Sequence, residues 1–117
     1  MLDVLVIEDN EVLREHLCAG LADARYQVFQ AQNGRVGLQI FKQIRPPVVV
    51  TDLVMEGGEG IESILAIRRI APAVKIIAIS GNPDYLQNSG KLGADEMLLK
   101  PFRMTELLGA IEGSNHG

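Results

Sequence analysis

Short aliphatic runs that alternate with amphipathic segments predict an α/β domain, a doubly wound parallel sheet of five strands with helices on both faces. Two further observations support this class. The runs are continuous in Val, Ile and Leu, as strands buried on both faces require, while aromatic residues make up only 4% of the chain, with no Trp. The length of 117 residues suits one domain, and at that size roughly two-thirds of the unfolded surface can be buried.

Val4–Ile7 is the first strand, an unbroken apolar run. Asn10 caps a helix through Ala24, with Leu13, Leu17 and Leu21 on one stripe and Arg14 and Glu15 outside it. Gln27–Ala31 is the second strand. Asn33-Gly34 reads as a turn, followed by a helix with Gly37, Ile40, Phe41 and Ile44 inward, the small Gly37 letting it sit close to the sheet. Pro46-Pro47 stops this helix and opens the third strand, Val48–Thr51. A loop rich in glycine (Gly57, Gly58, Gly60) leads to a helix with Ile61, Ile64 and Leu65 inward, which Pro72 ends. Lys75–Ile79 is the fourth strand. Asp84–Leu92 reads as a weak helix, because Asn88, Ser89 and Gly90 are poor formers. Met97–Leu99 is the fifth strand, and Met104–Ile111 the last helix, with Leu107, Leu108 and Ile111 inward. One domain spans residues 1–112, and Gly113–Gly117 reads as a frayed tail.

Composition narrows the function. The formal net charge is −4 and no basic stripe is visible, which argues against direct nucleic-acid binding by this domain. Cys18, the single cysteine, has no internal disulfide partner, as fits a reducing compartment. No apolar run is long enough to span a bilayer, and no basic region precedes an apolar stretch at the N-terminus. The expectation is a cytoplasmic domain.

The informative polar groups fall at the carboxyl ends of the strands. Glu8 and Asp9 follow the first, Asp52 the third, Ser80 the fourth and Lys100 the fifth. Singly, each has a plainer explanation as a cap or turn residue. Together they converge on the edge of an open α/β sheet where ligands bind. Three carboxylates there would repel one another and raise their pKa values unless a cation joins them. An all-oxygen set favours a hard ion such as Mg2+. Lys100 and Ser80 suit phosphate oxygens, which makes Asp52 a candidate nucleophile forming an acyl phosphate.

These residues resemble the receiver domains of bacterial two-component response regulators. The resemblance runs through Val4-Leu5-Val6-Ile7-Glu8-Asp9-Asn10, Ala31-Gln32-Asn33-Gly34, Val48–Met55, Ile79-Ser80-Gly81, Leu92-Gly93-Ala94-Asp95 and Lys100-Pro101-Phe102. It covers Leu2 to about Ile111. It implies a flavodoxin-like sheet of order 2-1-3-4-5. Asp52 matches the phosphorylated aspartate, Asp9 the direct Mg2+ (or Mn2+) ligand and Glu8 its acidic neighbour. Val54 matches the residue whose main-chain carbonyl completes the metal site, Ser80 the hydroxyl that meets the phosphoryl group, and Lys100 the ion-pairing lysine. The Lys100-Pro101 bond is often cis in such domains, which would aim the lysine inward. The implied phosphodonor is a histidine kinase or a histidine phosphotransfer protein, and phosphorylation would switch binding to an output domain or target, with a dimer as one outcome.

Three positions depart from the family pattern. Met97 stands where an aromatic switch residue is usual, Glu56 where Pro is common and Glu59 where Asp is common. Ser80 and Lys100 are 20 positions apart, slightly closer than in many relatives, and the shortfall falls on the weak fourth helix, a candidate for reordering on phosphorylation. Other chemistries fit less well. A flavin domain would place a phosphate-cradling loop where Glu8-Asp9 stands, an aspartate phosphohydrolase commonly carries an acid at position 54, and no Gly-rich Lys-Ser/Thr nucleotide loop occurs. The alternative within the same fold is an interaction module that no longer depends on phosphorylation.

Overall fold

The computed structural model describes residues 2–54 and 59–113, with only the backbone of Glu59. The expectations on Met55, Glu56, Gly57, Gly58, the Glu59 side chain and residues 114–117 lie outside the described residues. Ten elements alternate strictly: β1 Asp3–Ile7, α1 Glu11–Asp23, β2 Gln27–Ala31, α2 Gly34–Ile44, β3 Val48–Asp52, α3 Glu59–Ile70, β4 Lys75–Ser80, α4 Pro83–Leu92, β5 Glu96–Leu99 and α5 Met104–Gly113. The five strands are parallel, as the sequence pattern predicts, in the order β2-β1-β3-β4-β5 that the resemblance implies.

The aliphatic runs become the three central strands. β3 is buried at every residue, and both faces of the sheet are covered. One face packs Leu5, Ile7, Val49, Ile76 and Ala78 against Phe41, Ile64 and Ile67 of α2 and α3. The other packs Val4, Val6, Val50, Ile77 and Ile79 against Leu17 and Leu21 of α1 and Leu107 and Ile111 of α5. Each buried Val, Leu, Ile or Phe side chain among them contributes about 1.5–3 kcal/mol. The edge strands β2 and β5 are only partly covered, and Met97 and Leu99 of β5 are exposed.

Capping sets the helix starts. Asn10, Asn33 and Asn82 each accept a main-chain N–H of the helix they precede, those of Leu13, Val36 and Asp84. Asn33-Gly34 is therefore a cap and first helical residue, not a free-standing turn. Ile44 and Leu65, expected inward, are exposed, while Ile67 takes the buried place on α3. Gly37 lies so close to Ile7 that a Cβ there would collide with its side chain. Gly113 is the last residue of α5 and not part of a tail.

Opposite the carboxyl ends of the strands, Arg68 of α3 ties three segments together. Its guanidinium donates to the carbonyls of Gly93, Pro72 and Val74 and to Asp95 Oδ2 at 2.7 Å. Asp95 Oδ2 also accepts the N–H of Ile76 at 2.7 Å, which anchors the start of β5 to β4. Gly93 ends α4 with φ +124°, a conformation that side chains disfavour.

Candidate functional site

The carboxyl ends of β1, β3, β4 and β5 lie side by side, so the register brings Glu8, Asp9, Asp52, Ser80 and Lys100 to one edge. Glu8 and Asp52 are buried, Ser80 is fully buried and Asp9 is exposed. The helix cap is Asn10, one residue beyond the acidic pair, so a capping role does not explain Glu8.

Lys100 Nζ bridges two of the carboxylates. It donates to Asp52 Oδ2 at 2.9 Å and to Glu8 Oε1 at 3.1 Å. The lysine is aimed there by the sheet: its N–H donates to the Ser80 carbonyl at 2.8 Å, continuing the β4–β5 ladder. The Lys100-Pro101 bond is cis. The remaining oxygens have main-chain donors. Asp52 Oδ1 accepts from Val54 N at 3.0 Å, and Glu8 Oε2 accepts from Asn10 N at 3.1 Å. Ser80 Oγ accepts from Asn82 N at 3.0 Å, which links the site to the cap of α4.

Glu8, Asp9 and Asp52 each offer an oxygen, and these oxygens lie within 4.8 Å of one another. The donor set is carboxylate only, which fits a hard divalent cation. The charge pattern agrees. The Glu8 carboxyl is pushed up to about 7, first by burial and then by the Asp52 charge, while the Asn10 N–H and Lys100 pull it down. Repulsion between carboxylates, expected from the sequence, raises the Glu8 pKa less than its burial does. Lys100 is pushed the other way: burial acts against its charge, but the bonds and charges of Asp52 and Glu8 hold its pKa above the ordinary value. Among the described residues, the Lys100 ammonium bridges the two buried carboxylates, Glu8 and Asp52.

Val54 touches the cluster through its main chain, while Met97 stands apart from it. Val54 follows Asp52 with its side chain exposed and its N–H on Asp52. Met97 lies opposite Ala78 in the β4–β5 register, and its sulfur packs against Gly90 of α4. His16, set aside on the outer side of α1, lines an apolar groove of about 400 Å³ with Leu13, Leu17, Pro101 and Phe102 beside Lys100.

Two contributors were not singled out from sequence. Gly60, in the first turn of α3, approaches the main chain of Asp52 and Leu53 so closely that a Cβ would sit 2.5–2.6 Å from their atoms. Gly60, expected in the glycine-rich loop before this helix, is instead its second residue, and the glycine itself was the available signal. Arg14 of α1 donates to the Glu8 carbonyl at 2.9 Å. No spacing rule points to that contact, because it runs to a main-chain atom.

Comparison with known proteins agrees with this geometry. The family model described as "Response regulator receiver domain" matches residues 4–112. The chain is 32% identical over 111 residues to the chemotaxis protein CheY of Thermotoga maritima, covering 92% of each. It is 32% identical over 111 residues to sporulation initiation phosphotransferase F of Bacillus subtilis, covering 93% of this chain and 90% of that protein. A solved response regulator receiver domain protein from Clostridium thermocellum superposes with a TM-score of 0.92 at 28% identity, covering 99% of this chain and 95% of that one. With the acidic edge, the sheet order and the family match in agreement, the chain belongs to the response-regulator receiver domains of two-component signalling.

Proposed function

We propose that Asp52 accepts a phosphoryl group from a histidine kinase or a histidine phosphotransfer protein, assisted by Mg2+ or Mn2+, and that the phosphorylated domain changes its binding to an output domain or target. The observation that carries this reading is the Lys100 bridge between Glu8 and Asp52 within a cluster of three carboxylates. The proposed metal ligands are Asp9, Asp52 and the Val54 carbonyl, with Glu8 beside them. When bound, the cation would neutralise charge on the transferring group.

In the transfer, an Asp52 oxygen attacks phosphorus, a P–O bond forms and the P–N bond of the phosphohistidine breaks. Its electron pair leaves with the imidazole nitrogen. Lys100 Nζ, already on Asp52 Oδ2, follows the charge onto a phosphoryl oxygen. Ser80 can donate its hydroxyl proton to another phosphoryl oxygen while its own oxygen meets Asn82 N. Movement of Ser80 would therefore pull on the cap of α4, a route to that helix through the main chain and not through an aromatic at position 97. Cytoplasmic location and dimerisation on phosphorylation belong to the same proposal; among the described residues no helix is long and apolar enough to cross a membrane.

Incubation with Mg2+ and acetyl phosphate, read by intact mass, tests the reading. One phosphoryl group should appear on the wild type and none on folded Asp52→Asn. A folded wild type that stays unmodified would favour the phosphorylation-independent module.

A further inference from the structure

Arg14 reaches the turn that carries the acidic pair. Its Nε donates to Gln30 Oε1 of β2 at 2.9 Å, and its Nη1 donates to the Glu8 carbonyl at 2.9 Å. The side chain is 12% exposed, and its remaining ion pair, to Glu11 at 4.0 Å, is a solvent-facing contact of little consequence. The N–H of Glu8 donates to the Ala31 carbonyl at 3.0 Å. Both main-chain polar groups of Glu8 are thus held, one by β2 directly and one by a guanidinium braced on β2.

The Glu8 carbonyl and the Asp9 N–H belong to one planar peptide unit. Fixing that oxygen fixes the plane between the two α-carbons from which the Glu8 and Asp9 side chains depart. We infer that Arg14 is a positioning residue for the divalent-cation site: it sets the Glu8–Asp9 peptide so that both carboxylates meet Asp52 at ligand spacing. The planar fork of arginine suits the task, because two of its N–H groups can serve two acceptors at once. This inference rests on the metal reading proposed above.

Charge and positioning predict opposite signs. By Coulomb repulsion alone, removing a cation near an acidic cluster would tighten Mg2+ binding. Removing a brace should weaken it, and loss of an outer partner of a metal site typically costs about 10–100-fold in affinity. Calorimetric titration of the full chain with Mg2+ alone separates the two. Arg14→Gln should bind about tenfold more weakly. Gln30→Ala, which keeps the charge but removes the brace, should show a smaller loss of the same sign. Unchanged or tighter binding by a folded Arg14→Gln would overturn the inference. If circular dichroism shows that this variant does not fold, Gln30→Ala decides, and wild-type affinity there would overturn it. Wild-type protein that binds no Mg2+ would instead overturn the metal reading on which the inference stands.

Discussion

Arg68 and Lys100 each gather oxygen atoms at one end of the same sheet, yet the two clusters differ in balance. Around Arg68 every guanidinium N–H has an acceptor, three of the acceptor groups are main-chain carbonyls, and the single carboxylate is Asp95. That arrangement is satisfied as it stands, and it holds loops in place. Around Lys100, two buried carboxylates share one ammonium beside the exposed Asp9, and Glu8 is pushed up to about 7. A satisfied cluster stabilises a fold; two buried carboxylates that crowd one ammonium and raise a pKa mark a candidate functional site.

Three substitutions can break or sharpen this contrast. The largest effect is expected for Lys100→Ala, which should slow phosphorylation by acetyl phosphate on the order of 10²-fold, as loss of one preorganised donor does. Mg2+ binding should survive, because a competing cation has left. A rate equal to wild type would mean that the Lys100 bridge is structural only. Next, Arg68→Ala should cost about 2–3 kcal/mol in urea denaturation, through charged hydrogen bonds lost to carbonyls and to Asp95. Its Mg2+ affinity should not move; a parallel loss would erase the distinction between the two ends.

The third expected effect is a pH dependence. The folded pKa of Glu8 is raised from 4.5 to about 7, so folding binds a proton. The stabilisation from that proton is complete below about 4.5 and is lost as pH rises through about 7. In metal-free protein the stability of wild type relative to Glu8→Gln should therefore fall across that window. Thermal melts in a chelator would measure it, and a flat difference would show that Glu8 carries no such strain.

Much of this was legible in sequence because it is local or periodic. Asn10 announces a helix start, Pro46-Pro47 a helix end, and the unbroken Val4–Ile7 and Val48–Val50 runs the buried strands. The meeting of Glu8, Asp52 and Lys100 followed from placing each at a strand end, since parallel strands bring those ends to one edge. What failed was finer. Ile44 and Leu65 satisfy a helical stripe but sit at its margins, where packing of neighbours decides exposure, and Ile67 took the place assigned to Leu65. The Arg14 and Arg68 contacts were invisible because they join distant segments through main-chain carbonyls, which carry no residue signature. Met97 was legible as a departure, but only the structure places its sulfur on Gly90.

The central claim is that this acidic edge captures a phosphoryl group at Asp52. Its most direct test is location of the modified residue. Protein treated with Mg2+ and acetyl phosphate is reduced with borohydride, which converts an aspartyl phosphate to homoserine, and is then peptide-mapped. Homoserine at position 52, dependent on Mg2+ and absent elsewhere, is the predicted result. An unmodified Asp52 in folded protein, or a modification that maps to Glu8 or Asp9, would contradict it.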